Sequence, residues 1–334
     1  MSDAAFYTVA DAGFFPGAVA LLNSLRLTGN LGELIVLDTG LAPAQRALLG
    51  EHARLVPLPA SGAGSAFLAK PLAHRIELDG PLVILDSDML VTAGLEGVGA
   101  QADAGKICVF PDHPTTQHRW FAEWQSGFGL AAEPRRQTYV NAGFIALALG
   151  RWRHLLERWS QACELIPAGA HFSSDAAGPY WAGDQDAFNA LLMSEVPVDA
   201  VEILPGDGEA YWDALRDVEI VDERTLECRR NGSPVSILHY SYPPKPWERR
   251  AWIRVVDDAY VRLLPRVLFA DDVTLRLDVA DVPPWIRPSR RARAAVLSLD
   301  RAHRSAKAVI AATPAPLRRH LVGLRNRIVG GVAR

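Results

Sequence analysis

Two pairs of carboxylates, each with one residue between its members, are where residue types and spacing could do chemistry: Asp86-Ser87-Asp88 and Asp184-Gln185-Asp186. Oxygen ligands so placed are hard donors, suited to Mg²⁺ or Mn²⁺ holding a phosphate. The pattern alone is weak, because a chain of this length holds about one Asp-x-Asp by chance. What surrounds each pair has to separate them. Asp86 ends the apolar run Leu82-Val83-Ile84-Leu85, which is bounded upstream by Gly80-Pro81. Such a run predicts a strand buried on both faces of a parallel sheet. Open α/β sheets bind ligands at the carboxyl ends of their strands, where Asp86 and Asp88 fall.

The elements that must position these groups follow from alternation. Residues 6–10 predict a short strand and 17–27 a helix, with Val19, Leu22 and Leu25 at helical spacing. A strand at 34–37, a helix at 43–51 opened by Pro43, and an extended piece at 55–58 come next. This order implies right-handed βαβ units and a largely parallel sheet. Lys70 to Leu78 reads as a helix leading into the 82–85 strand. Further strands are expected at 107–110, 144–149 and 237–240, and helices at 152–166, 186–193 and 252–268.

Composition sets the frame. With 334 residues, 49% of them apolar, the chain can bury a proper core as one large α/β domain or two small ones. Nine Trp is a high count, and Trp120, Trp124, Trp152, Trp159 and Trp181 crowd the middle third. Aromatic faces stack on sugar rings, but core packing is the commoner use. Cys108, Cys163 and Cys228 are sparse and show no zinc spacing, which points to a reducing, cytoplasmic compartment. The N-terminus lacks a basic signal-peptide region, and no apolar run is long enough to span a bilayer. The net charge of −3 hides an asymmetry: residues 287–334 hold twelve Lys/Arg against Asp300 alone, on an otherwise acidic body.

Three further segments join the carboxylate pairs, the second of which is preceded by Gly183: Tyr7-Thr8-Val9-Ala10-Asp11, Tyr139-Val140-Asn141-Ala142-Gly143-Phe144, and Ile237-Leu238-His239-Tyr240 running on to Lys245-Pro246-Trp247. In this order and spacing the set resembles the retaining GT-A glycosyltransferases of family 8, which include glycogenin and bacterial lipopolysaccharide galactosyl- and glucosyltransferases. The resemblance covers roughly residues 5–250. It implies a GT-A fold, a Rossmann-like, mixed but mostly parallel sheet flanked by helices, over residues 1–286; the charge asymmetry sets residues 287–334 apart as a basic helical tail.

Carried over residue by residue, the resemblance makes Asp86, Asp88 and His239 the ligands of Mn²⁺ (or Mg²⁺), with Ser87 beside the donor. Lys245 matches a lysine on the donor diphosphate, where a cation offsets charge on the departing UDP. Lys70 matches a basic residue near the donor. Val9, Ala10 and Asp11 match the cradle for uracil and ribose, with a helix cap as the plainer use of Asp11. Asn141, Ala142 and Gly143 match a sugar-facing turn. Asp184 and Gln185 match the catalytic pair beneath the transferred sugar, which turns the second Asp-x-Asp into a sugar segment rather than a second metal site; for Asp184 a helix N-cap is the plainer use. Tyr242 stands where the family usually has glycine, which implies a displaced loop or a side chain over the donor.

The implied reaction moves a hexose from a UDP-sugar to an acceptor hydroxyl of a glycan or glycolipid, with retention. The alternative is a nucleotide-sugar-binding protein whose chemistry has lapsed. A sugar nucleotidyltransferase would need a Gly-rich, Arg-containing loop after the first strand, and residues 9–18 do not supply one.

In the tail, Val296, Leu299, His303, Ala306 and Ile310, and then Leu317, Leu321, Leu324 and Ile328, recur at spacings of three and four among arginines. Two amphipathic basic helices joined at Thr313-Pro314 would lie on an anionic membrane face. This favours a cytoplasmic protein placed peripherally on the inner side of a membrane. Packing on the acidic body is the competing use. Nucleic acid is not expected, since interleaved aromatics are missing.

Overall fold

The alternation expected from the sequence is present in the N-terminal third of the computed structural model, which describes residues 4–58, 66–78, 80–171, 175, 177–253 and 256–312. Strand β1 (Ala5–Asp11), helix α1 (Phe15–Leu27), β2 (Leu34–Gly40), α2 (Pro43–Gly50) and β3 (Arg54–Pro57) form two successive crossovers. The helix expected at 70–78 is instead a 3₁₀ helix, Ala66–Arg75, with Pro71 inside it. Proline offers no N–H to an α-helical ladder. Then come β4 (Pro81–Leu85), β5 (Met89–Val91), α3 (Glu96–Asp103), β6 (Ile107–Pro111), α4 (Trp124–Gly127), β7 (Val140–Ala148), α5 (Leu149–Glu164) and α6 (Asp184–Ser194). The remainder holds β8 (Val201–Ile203), β9 (Glu209–Tyr211), the meander β10 (Glu219–Asp222), β11 (Glu227–Arg230) and β12 (Ser233–Val235), then β13 (Ile237–His239), α7 (Ala259–Phe269) and α8 (Arg290–Ala312).

The main sheet has seven strands in the order β3-β2-β1-β4-β7-β6-β8. β3, β2, β1 and β4 run parallel, β7 runs antiparallel to both β4 and β6, and β6 pairs parallel with β8. The sheet is therefore mixed and mostly parallel, as expected. β4 is buried along its whole length. Its alternate residues serve two cores: Val83 and Leu85 face the layer with Leu22 of α1 and Leu264 of α7, and Leu82 and Ile84 face the layer with Trp159 of α5 and Phe188 of α6. Burial of each such side chain is worth about 1.5–3 kcal/mol.

A smaller sheet, β5-β13-β9, stands beside the first. The Asp86-Ser87-Asp88 segment is the joint between the two. Asp86 N–H donates to Gly143 O (2.9 Å), continuing the ladder with β7, and Tyr240 N–H donates to Asp88 O (3.0 Å), continuing the ladder of β5 with β13.

Three further expectations are corrected. Asn141, Ala142 and Gly143 lie inside β7, not in a turn before it. α6 starts at Asp184, two residues earlier than the apolar pattern showed. The helix expected at 252–268 is a 3₁₀ segment (Arg249–Ile253) and the separate α7, whose first turn is capped by Asp258 accepting from Val261 N–H at 2.9 Å. Trp124, Trp152 and Trp159 are core residues, and the three cysteines are buried free thiols. In the tail, α8 packs on the body through Ala292, Val296 and Asp300, and Asp300 pairs with Arg216 (2.6 Å). The second tail helix falls outside the described residues. Among the described residues, no helix is long and apolar enough to cross a membrane.

Candidate functional site

Because the chain changes sheets at Asp86–Asp88, both carboxylates project where β4 ends and β13 begins to pair. His239, the last residue of β13, meets them there: its Nε2 lies 3.3 Å from Asp88 Oδ1 and 3.7 Å from Asp86 Oδ2. One ligand atom from each of the three falls within 4.8 Å of the others. Gly143 makes room for the ring. A Cβ at that position would stand 2.8 Å from His239 Cε1 and from the Met89 side chain, so the close approach that this glycine permits is to the histidine.

Two lysines flank the trio. Lys70 Nζ reaches Asp86 (2.9 Å), Asp184 (3.0 Å) and Ala142 O (3.1 Å), tying the joint to the start of α6. Burial works against its charge, but the fields of Asp184 and Asp86 outweigh that and raise the ammonium above its ordinary range. On the other side Lys245 Nζ donates to Asp88 Oδ2 (2.5 Å) and Tyr240 O (2.8 Å). Burial alone would neutralise Asp88, yet Lys245 and His239 hold it well below the usual carboxylate range. Asp86 moves the other way, pushed up by burial despite Lys70, with the neighbouring charge of Asp88 adding to the rise.

The donor set fits a divalent cation. Asp88 Oδ1 is buried and accepts no hydrogen bond. Both ring nitrogens of His239 face carboxylates, Nδ1 lying 3.0 Å from Glu209 Oε1. Burial disfavours the imidazolium, but Asp88 and Glu209 outweigh it and push His239 up to about 10. Asp88 Oδ1 and His239 Nε2 offer donor atoms on the same side of the ring, 3.3 Å apart.

The two Asp-x-Asp segments have different partners. Asp184 reaches Lys70 and so borders the same cluster, but it does not cap its helix, because Gly183 occupies the N-cap with φ 59°. Gln185 Oε1 accepts from Ala142 N–H (3.1 Å) and its amide donates to Asp112 (3.1 Å). Asp186 turns away: Arg119 grips it through two nitrogens (3.0 and 2.9 Å), and Tyr139 OH (2.8 Å) and Ala182 N–H (2.7 Å) complete its shell. Asp11 uses Oδ1 to accept from Gly13 and Phe14 N–H (2.8 and 3.0 Å), which is the turn-capping role. Val9, Ala10 and Asp11 nonetheless form the carboxyl end of β1, beside β4. Ser87 sits buried in the joint, its carbonyl oxygen against α1; a Cβ on Gly17 would come within 2.3 Å of it and 2.7 Å of the Trp247 ring. Trp247 Nε1 donates to Gly13 O (2.9 Å), closing the Lys-Pro-Trp segment onto the β1 end.

Sequence reasoning missed three groups. Glu209 and Tyr211 lie in β9, a three-residue strand too short for any periodic signal, and Asp112 follows β6. Tyr211 OH donates to Asp112 (3.1 Å). At the rim, Trp212 adopts φ 60° and packs between ring neighbours His113 (5.1 Å) and Tyr242 (4.9 Å). Tyr242 thus leans on Trp212 and stays 43% exposed.

Neither a protein-family model nor a curated protein matches the sequence. Solved structures do. An active-site variant of LgtC aligns at 17% identity over 82% of this chain and 98% of its own, with a TM-score of 0.51. The bifunctional glycosyltransferase WbbM aligns at 14% identity over 79% of this chain and 50% of its own, also at 0.51. The galactosyltransferase LgtC bound to donor and acceptor sugar analogues aligns at 17% identity over 80% and 98%, at 0.49. The chain has the GT-A fold, and its structural neighbours are glycosyltransferases, in keeping with the resemblance seen in the sequence.

Proposed function

We propose that the chain is a metal-dependent retaining glycosyltransferase of the family 8 kind, moving a hexose from a UDP-sugar to an acceptor hydroxyl on a glycan or glycolipid. One observation carries the reading: Asp86, Asp88 and His239 converge with Lys70, Lys245 and Asp184 at the carboxyl end of β4. The shared fold of LgtC and WbbM supports it. Asp86, Asp88 and His239 hold Mn²⁺ or Mg²⁺, which when bound offsets charge on the diphosphate.

The chain's own groups do the rest. The end of β1, Val9 to Asp11, receives the nucleoside, with Ser87 next to it. Lys245 lies on the leaving-group side and stabilises the charge that develops there. Lys70 fixes Asp184 and Asp86 in one arrangement, so the sugar rests over Asn141–Gly143 and the Asp184-Gln185 pair. Transfer occurs on one face: the bond from the anomeric carbon to the diphosphate oxygen breaks, the acceptor oxygen bonds on the same side, and its proton passes to the departing diphosphate. Double displacement would instead need a carboxylate nucleophile. Asp184 is the acid so placed, and its ion pair with Lys70 weakens it in that role. A glycosyl-enzyme trapped on Asp184 overturns the same-face mechanism.

The test is a binding and hydrolysis panel of UDP-sugars with and without Mn²⁺, run beside Asp86→Asn. Metal-dependent turnover lost in that variant supports the enzyme. Tight metal-dependent binding without turnover supports the lapsed binding protein. Metal-independent binding untouched by the substitution refutes the site.

We also propose that residues 287–334 place the protein peripherally on the inner, anionic face of a membrane, with the enzyme in the cytoplasm. Arg290, Arg291, Arg301 and Arg304 are exposed on α8. Truncation at 286 would strip Ala292 and Val296 from the body, so the better test neutralises these four arginines to glutamine. Equal flotation of both proteins with anionic liposomes sinks the membrane role.

A further inference from the structure

Glu209 is a buried carboxylate that the proposed reaction does not yet use. The residue is 2% exposed, and among the described residues no lysine or arginine lies within ion-pair distance of it. Its Oε2 is buried without a hydrogen-bond partner. A buried acid supported so thinly contributes little to stability, so its presence asks for another cause.

Geometry supplies one. β13 and β9 pair in parallel, with Ile237 opposite Glu209 and His239 opposite Tyr211. Ile237 and His239 share a face of β13, and Glu209 shares it from the neighbouring strand. Its Oε1 therefore lies 3.0 Å from His239 Nδ1, on the side of the ring away from Asp86 and Asp88. The same oxygen accepts from Asn141 Nδ2 (3.3 Å). An imidazole can present only one nitrogen as a ligand while the other carries hydrogen, and the partner of the second nitrogen decides which.

We propose that Glu209 is the positioning residue of the metal centre: it accepts Nδ1–H from His239, fixes the ring, and so directs the Nε2 lone pair to a divalent cation held with Asp86 and Asp88. Through Asn141 the same carboxylate joins the metal centre to the strand segment that faces the sugar. This rests on the metal-site reading above, and the experiment separates the two. Mn²⁺ affinity is measured by electron paramagnetic resonance titration of the native protein, Glu209→Gln and Glu209→Ala, each with a thermal melt. Glutamine keeps an acceptor for Nδ1–H but removes the charge; alanine removes both. The expected order is native, then E209Q about tenfold weaker, then E209A about a hundredfold weaker, with the E209Q melt unchanged. If the native protein binds no Mn²⁺, the metal-site reading falls and this inference with it. If the native protein binds and E209A, folded by its melt, binds within threefold of it, or E209Q binds no better than E209A, the inference alone is overturned.

Discussion

Asp86-Ser87-Asp88 and Asp184-Gln185-Asp186 share a pattern and bear opposite loads. In the first, Asp88 Oδ1 is left without a hydrogen bond and both acids crowd one imidazole nitrogen. In the second, Asp186 is fully buried with four donated hydrogen bonds, from Arg119, Tyr139 and Ala182. The first leaves a buried carboxylate oxygen open; in the second, Asp186 is complete within the fold while Asp184 joins the first cluster through Lys70. The same pattern thus leaves both acids in one cluster in the first segment, and divides the second between that cluster and a brace at Asp186. The difference lies in what the surrounding strands deliver to each.

That contrast can be broken by substitution. The largest effect is expected at Asp86→Asn, where transfer should fall on the order of 10³-fold, about 4 kcal/mol in the barrier. Its melting temperature should hold or rise, because Lys70 keeps Asp184 and Ala142 O, and repulsion with Asp88 is relieved. A lower melting temperature would make Asp86 a structural acid like Asp186. Next, Asp186→Ala should destabilise the fold by about 3 kcal/mol, by denaturant titration, since Arg119 loses its buried partner; Mn²⁺ affinity of the folded fraction should stay native. Third, Mn²⁺ at a hundred times its dissociation constant should stabilise the native chain by about 2.7 kcal/mol, and Asp86→Asn by much less. Smallest is Tyr242→Gly: loss of the ring contact with Trp212 should cost about 1 kcal/mol, and the Michaelis constant for donor should change only a few-fold. A large rise would put the tyrosine over the donor.

The legible part of the site was the part that sits on strong strands. The apolar run ending at Asp86 located β4 and its ligand end without help. His239, Lys245 and Lys70 carried no local signal and entered through the ordered set of motifs. Asn141–Gly143 does not read as strand from sequence because β7 outruns its partner: past Leu85 its pairing is continued by Asp86 N–H, a contact between residues far apart in sequence. The apolar pattern starts α6 two residues late because its first turn is acidic and its apolar residues begin at Ala187. Glu209 could not be found at all. A single acid in a three-residue strand has neither period nor spacing, and its meaning comes from the register of β9 on β13.

The joint at Asp86–Asp88 also has a consequence for the order in which the molecule comes into being. β1 to β4 and Lys70 lie within the first 85 residues and can pair locally, whereas β5 acquires its neighbour from residues 237–239. During synthesis the two acids must wait for most of the remaining chain, and loop closure of that length is slow and entropically costly. If the proposed metal site holds, its affinity would arise last. A ribosome-bound chain stopped before Ile237 has both aspartates and no histidine, so cation capture would time the closing of the second sheet.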